Sequence, residues 1–355
     1  MEYVKPDIDQ IEASLFGPGY GESLVLHIGN DQWVIVDSCI DTNSEDIAPL
    51  RYLNELGVCL SNVKHIIASH WHDDHTRGLH KVVQACKNAH FWCPAPMTKQ
   101  EFLYYAKLYQ KPQTRLPTGG TTEIYNVFKL IRERSQPIHR ILPNQLILKN
   151  NYCSLFTLSP TSQRFEEFLQ MFSELAQKDD YVRAPQIKPN SLSVSLWASF
   201  DSHGALFGGD VEEQNNKGWH QILHEQTCID GSASLFKIPH HGSNNAHKEE
   251  VWSNICSSNV TSILSPFSQG KKKLPSPKDV DRICKKSYQS FATSSPSRKT
   301  KAKFNSVTEK EFKAWGIKVQ RLPKAGHICA RENLSNISNW DISLSQNALP
   351  LEQLL

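Results

Sequence analysis

Ser69-His70-Trp71-His72-Asp73-Asp74-His75 is the stretch that decides how this 355-residue sequence is read. It follows Val63-Lys64-His65-Ile66-Ile67-Ala68, an apolar run of the kind that forms a buried strand, and it precedes Gly78 to Cys86, whose pattern predicts a helix. A strand feeding a polar loop and then a helix is a common place to build a site, because rigid elements hold loop residues in position. His70, His72, Asp74 and His75 are imidazole and carboxylate donors, the ligand types that zinc or manganese accepts while leaving one coordination position open for water. Such donors converge on one pocket only if the backbone is a loop. The spacing suits two metals, with His70 and His72 on one and Asp74 and His75 on the other. A solvated polar loop without metal is the alternative, and the apolar strand directly before it argues against that.

Upstream, Gln10 to Phe16, Ser23 to Ile28 and Gln32 to Asp37 read as strands, the last two joined as a hairpin by Gly29-Asn30-Asp31. Ile47 to Leu56 has helical spacing and stops at Gly57. Asp37 ends the third run and is expected to orient the histidine loop through hydrogen bonds, with a simple turn aspartate as the other reading. Downstream, Cys153 to Leu158, Ser191 to Phe200, Ala205 to Asp210, Leu235 to Ile238, Val260 to Leu264 and Ile317 to Arg321 read as strands. Asp210 closes one of them after two glycines, where a carboxylate can approach a metal pair closely and bridge it.

Phe236-Lys237-Ile238-Pro239-His240-His241-Gly242-Ser243 puts two more histidines at a strand end. One completes the second metal and the other serves as a proton donor or supports a ligand. Either can fill either role; we favour His240 as the ligand, which leaves His241 beside Asp74 and Lys237 in the catalytic set. Lys237 would stabilise negative charge developing on phosphate, and an ordinary strand lysine is an equally open reading. Asp73 and His80 are read as surface residues or supports. His65, His90, His139, His203 and His327 lack such context and are read as structural.

The strands alternate with helices along the chain, which predicts one α/β domain over residues 1–335. Residues 95–150 form an expected helical insertion, with the aromatic segment Glu101 to Tyr109, the loop Lys111 to Thr122 and a helix over Glu123 to Glu133. That insertion either packs on the domain, caps the site or binds a protein partner. Residues 336–355 are expected to be a loosely attached tail. A hydrophobic share of 39% with eight Trp and fifteen Phe fills a sizeable core and excludes a disordered or fibrous chain. Nine cysteines without a Cys-x-x-Cys pair exclude a disulfide framework or a zinc ribbon. Met1 to Asp7 lacks a secretory pattern, and no run reaches the ~20 apolar residues of a membrane helix, so a cytoplasmic protein is expected.

These residues resemble the metallo-β-lactamase superfamily, whose signature is the His-x-His-x-Asp-His loop. Within it the chain is similar to the ComEC-like branch. The residues carrying this are Gly17-Pro18-Gly19-Tyr20-Gly21-Glu22-Ser23, Val36-Asp37, Asn190-Ser191-Leu192-Ser193-Val194 ahead of Gly209-Asp210, Lys237 through Ser243, and Ala325-Gly326-His327-Ile328. The resemblance implies an αββα sandwich with two divalent ions, Zn2+ or Mn2+, at one edge between the sheets. It also implies hydrolysis by metal-activated water, and for the branch a nuclease or phosphodiesterase. Two positions depart from the pattern. Thr157-Leu158-Ser159-Pro160 and Leu274-Pro275-Ser276-Pro277 stand where many members place a histidine, which leaves the first metal with fewer protein ligands.

The expected activity is therefore phosphodiester hydrolysis of nucleic acid or a nucleotide. Lys271-Lys272-Lys273 and Arg298-Lys299-Thr300-Lys301-Ala302-Lys303 either attract a polyanion or form solvated loops. The rivals are an ester, lactam or phosphocholine hydrolase on the same residues, and a partner-regulated effector or binding module.

Overall fold

β1 (Gln10–Gly17) shows how the sequence divides between two cores. Ile11, Ala13 and Leu15 point to one face and join the apolar layer between two sheets, while Phe16 turns to the other face and joins a layer beneath helices. That is the period of two in a strand covered on both sides. The same division repeats in β2 (Ser23–Ile28), β3 (Trp33–Val36), β4 (Val63–Ile67), β5 (His90–Pro94) and β6 (Ile138–Ile141). In these strands Leu24, Leu26, Val34, Ile67 and Trp92 face inward, and Val25, Trp33, Ile35, Ile66 and Phe91 face the helices.

The computed structural model describes residues 3–19, 21–100, 102–103, 106, 119–176, 188–200, 203–269, 272–296, 306–315, 324–333, 340–345 and 347–355. The remaining strands are β7 (Leu146–Lys149), β8 (Ser154–Thr157), β9 (Leu196–Phe200), β10 (His203–Phe207), β11 (Ala233–Lys237), β12 (Cys256–Leu264), β13 (Phe267–Gln269), β14 (Lys272–Leu274), β15 (Gln289–Ala292), β16 (Gly326–Asn333), β17 (Asp341–Leu344) and β18 (Leu349–Pro350). One sheet runs β17-β16-β1-β2-β3-β4-β5-β6 and the other β18-β15-β12-β11-β10-β9-β8-β7. Both mix parallel and antiparallel pairs. Helices cover both outer faces: Ala48–Glu55, Leu79–Ala85 and Gly120–Glu133 on the first, Trp219–Glu225, Glu249–Asn254 and Pro277–Lys286 on the second. This is the α/β sandwich expected from the sequence.

Several expectations change. Ser191 to Phe200 is a strand only from Leu196, because Pro189–Leu192 forms a 3-10 turn. The span 95–150 contains the helix Gly120–Glu133, but its later part is sheet: β6 and β7 are edge strands of the two sheets. The end of the chain is not loosely attached. β17 pairs with β16, and β18 pairs with β15, so residues after 340 add a strand to each sheet. The helix Ser162–Ala176 adds to the elements expected from the sequence. The strand expected at Ile317 to Arg321, the basic run Arg298 to Lys303, Lys271, and most of the Glu101–Tyr109 segment and the Lys111 to Thr122 loop lie outside the described residues. Phe102, which is described, is fully buried against Trp71 and Phe172, with ring centroids 5.1 and 5.7 Å away.

Candidate metal centre

Parallel strands β3 and β4 end side by side, and the chemistry begins where they stop. Asp37 follows β3 with a left-handed backbone (φ 61°), which turns its carboxylate back across the β4 exit. It accepts from Ser69 N (2.7 Å), Ser69 Oγ (2.5 Å) and His75 Nδ1 (2.7 Å), and so organises the whole loop. Ser69 Oγ gives its own proton to Asp37, so it accepts from His70 Nδ1 (2.9 Å). Across the sandwich, Asp210 follows β10, and its amide donates to Ser193 Oγ (2.7 Å). Gly209 before it has φ 53°, and a Cβ there would strike the Val194 carbonyl, which is why glycine stands at this close approach. His241 follows β11 and donates from Nδ1 to the Ser265 carbonyl (2.9 Å).

In His70, His75 and His241 Nδ1 is therefore committed to a neighbour, and Nε2 is the nitrogen turned toward the site, where that of His70 lies 3.2 Å from His72 Nδ1. Three sets of donor atoms lie mutually within 4.8 Å: His70, His72 and Asp210; Asp74, His75 and His241; and Glu22, His75 and Asp210. His75 Nε2 lies 3.5 Å and His241 Nε2 3.9 Å from Asp210 Oδ2, and His241 Nε2 is 3.3 Å from Asp74 Oδ2. His75 Nε2, Asp210 Oδ1 and Glu22 Oε2 are buried with no hydrogen-bond partner among the described residues. Imidazole lone pairs and carboxylates that converge while buried and unpaired fit divalent metal ions.

The charge balance gives the same answer. Burial, reinforced by the neighbouring imidazoles, holds His70 far below the usual histidine range, and burial holds His72 below it. Burial also opposes charge on His75 and His241, but Asp210 with Asp37 and Asp74 more than offsets it for His75, and Asp210, Asp74 and Glu22 do so for His241. In the metal-free protein these two carry positive charge that the carboxylates require. A folded pKa above 6.5 contributes stability that is present below 6.5 and lost as pH rises through the raised value. Divalent ions replace that charge. We therefore expect the rise in Tm on adding Zn2+ or Mn2+ to be larger at about pH 8.5 than at about pH 6 in differential scanning fluorimetry. An equal rise at both would mean the ions bind elsewhere.

Residues 16–145, which include the histidine loop, match the model of the metallo-beta-lactamase superfamily. Over that span, somewhat more than a third of the chain, the sequence is similar to the metallo-beta-lactamase superfamily. Its two mixed sheets and flanking helices are the sandwich of that fold. Solved structures similar to it include the metallo-beta-lactamase fold protein YhfI from Bacillus subtilis, at 14% identity over 72% of this chain and 85% of that one, with a TM-score of 0.36. Another is MEM-A1, a subclass B3 metallo-beta-lactamase from a soil metagenome library, at 12% identity over 67% and 82%, with a TM-score of 0.35. A third is AbOPH, a hydrolase in the beta lactamase superfamily, at 14% identity over 53% and 55%, with a TM-score of 0.31. No curated protein sequence matches this chain.

Members of the metallo-beta-lactamase superfamily are metal-dependent hydrolases, and the loop His70, His72, Asp74 and His75 falls in the matched span. Asp210 and the second histidine pair lie beyond it. Of that pair, the structure places His241, and not the favoured His240, beside Asp74 and His75. Both residues have positive φ, 44° and 55°, so the alternation of an extended strand does not choose between them. His240 instead lines the cleft, with Nδ1 3.1 Å from Asn245 Oδ1 and 3.3 Å from Glu212. Lys237 does not line the cleft. It is buried, its ammonium pairs with Glu22, and it donates to the Gly209 carbonyl (3.0 Å), so it does not face a substrate. Glu22, next to His75 and Asp210, is a residue that the sequence reading misses.

None of the nine cysteines is in a disulfide, and none joins a ligand set among the described residues. Ser159, in the first of the two stretches that depart from the family pattern, is held by protein, its hydroxyl bonded to Ser193 O (2.7 Å) and Ser195 Oγ (2.9 Å). Asp73 and His80 brace the loop from outside: Gly120 N donates to Asp73 (2.5 Å), and His80 Nδ1 meets Glu123 (2.6 Å). Gly21 seals the other side, where Glu22 N donates to the Asp74 carbonyl (2.8 Å). Gly21 has φ 119°, and a Cβ would collide with that carbonyl. Gly21→Ala is expected to shift Asp74 and cut hydrolysis roughly tenfold or more, since small misplacements at a site cost that much; rate and metal content measured together decide it.

Among the described residues no helix is long and apolar enough to cross a membrane.

Proposed function

We propose that this chain is a metal-dependent phosphodiesterase, acting on nucleic acid or nucleotides. The observation carrying the reading is the cleft of about 530 Å³ that opens over the ligand sets, because its wall adds two cationic side chains, Arg77 and Lys272, to His72, Asp74, Asp210 and His241. Cations around a carboxylate-rich metal site suit a substrate that brings its own negative charge. Phe267 also lines the cleft. Its ring stacks on His241 at 5.2 Å, with Lys272 Nζ 6.0 Å from the ring centroid, which offers an aromatic surface beside a cation.

His70, His72 and Asp210 would hold one ion; Asp74, His75 and His241 would hold the other, with Asp210 between them. Two divalent ions there would supply Lewis acidity toward a phosphoryl oxygen and a nucleophile from water at neutral pH. Asp37 and Ser69 fix the ring orientations of His70 and His75. Arg77 and Lys272 bind and orient the phosphate. His240, outside both ligand sets, would relay a proton at Nε2, which faces the Asn190 amide at 3.4 Å while Asn245 holds Nδ1. Free cysteines, five of them buried, suit a reducing cytoplasm as the place of action.

The test is cleavage of labelled single- and double-stranded DNA and of a small aryl phosphodiester with Mn2+, Mg2+ or Zn2+. Metal-dependent cleavage lost in His72→Ala supports the reading. Lys272→Ala is expected to raise KM by roughly threefold to tenfold with kcat within about twofold, and to weaken the salt dependence. Turnover of an uncharged ester or lactam, indifferent to salt and to Lys272, would move the assignment to that class. Full metal loading without hydrolysis of either class would favour the effector reading.

A further inference from the structure

Three histidines stand in a row on neighbouring strands away from the cleft. His65 in β4 is in register with His90 in β5, and Trp92 in β5 is in register with His139 in β6. His90 Nδ1 and His139 Nε2 are 3.0 Å apart. Two nitrogens bound to one ion at 2.0–2.1 Å lie about 3.0 Å apart at a right angle and about 3.4 Å apart at a tetrahedral angle. The pair already has chelating separation.

Its rings are also held in place. His139 stacks on Trp92 at 4.6 Å and 27°, and His90 stacks on His65 at 5.6 Å and 29°. Trp92 Nε1 donates to His65 Nδ1 (2.9 Å), so His65 carries its proton on Nε2 and offers no ring lone pair outward. His65 is a platform. His90 is exposed and His139 half-buried, so an ion in water can reach both. Rings fixed before binding lose little freedom when they bind.

We propose that His90 Nδ1 and His139 Nε2 form a second metal site, a two-imidazole chelate for a borderline transition-metal dication, with Cu2+ held more tightly than Zn2+ or Ni2+. Imidazole suits these ions, and the order follows the general preference of nitrogen sites. In the free protein one ring donates to the other. On binding, the donating ring moves that proton to its other nitrogen, both facing lone pairs go to the ion, no proton is released, and water fills the remaining positions. The site is separate from the cleft: His65 lies in the middle of β4, and His70 lies beyond its end.

The experiment strips the full chain of metal and titrates Cu2+ into wild type, His90→Ala, His139→Ala and His72→Ala, with electron paramagnetic resonance and elemental analysis. The expected result is one Cu2+, with hyperfine structure from two nitrogens, that His72→Ala keeps and that both His90→Ala and His139→Ala bind at least about tenfold more weakly. Hydrolytic activity should be unchanged in the latter two. Equal uptake in wild type and both variants, or loss in only one of them, overturns the proposal. His90 is exposed, so its truncation does not threaten the fold.

Discussion

Asp210→Ala is expected to lower kcat/KM on a phosphodiester by about 10³-fold or more, and to remove metal with the activity. The basis is position. Asp210 closes the set of His70 and His72, and its Oδ2 also faces His75 and His241, so one carboxylate belongs to both halves of the centre. Losing a residue that only supports a ligand typically costs 10–100-fold, and losing the shared ligand should exceed that. His70 and His72 would remain as a two-imidazole set, because among the described residues only Asp210 joins them as a third donor. Metal content by elemental analysis, beside circular dichroism to confirm the fold, separates a lost centre from a lost structure. An Asp210→Ala protein that keeps two ions and more than a tenth of its activity would show that Asp210 does not join the two halves of the centre.

Lys237→Met is expected to destabilise the protein by about 3–5 kcal/mol, the usual cost of leaving one partner of a buried ion pair uncompensated. Lys237 and Glu22 are 3% and 4% exposed, and they pair across the sandwich from β11 to the start of β2. Burial opposes the charge on Lys237, but Glu22 and Asp210 more than offset it, so its pKa lies above the usual 10.5. Its contribution is then fully present below 10.5 and is lost only as pH rises through the higher value, so the effect should be the same at about pH 6 and about pH 8. Urea denaturation of Lys237→Met, Glu22→Gln and the double variant measures it, and the double variant should recover much of the loss. A stable Lys237→Met protein that has lost its activity would return the lysine to catalysis.

The centre is legible where its donors are close in sequence. His70, His72, Asp74 and His75 sit in one short loop after an apolar strand, and Asp210 follows two glycines at a strand end. Glu22 is not legible, because it lies in a glycine-rich turn and reaches His75 and Asp210 only through the packing of the sheets. The choice between His240 and His241 depends on the Ser265 carbonyl beyond β12, and no local pattern reports that. Among the helices, Pro277–Lys286 carries a local start signal: Ser276 and Asp279 form a capping box with proline at its start. β6, β7, β17 and β18 are four residues or fewer and largely half-exposed, and the longest apolar run among them is Leu146-Ile147-Leu148. They form because the neighbouring strands present a free edge to them.

Those short border strands also govern how the molecule meets copies of itself. An open sheet ends in a row of unpaired amides and carbonyls, a template on which another chain can add a strand. Here each sheet is finished by a strand too short to offer much of a ladder. β18 ends in Pro350, which has no amide proton to give, while β6 and β7 carry Arg140 and Lys149 on their exposed positions. The sandwich, sixteen strands among the described residues, is thereby protected at its borders against edge-to-edge aggregation.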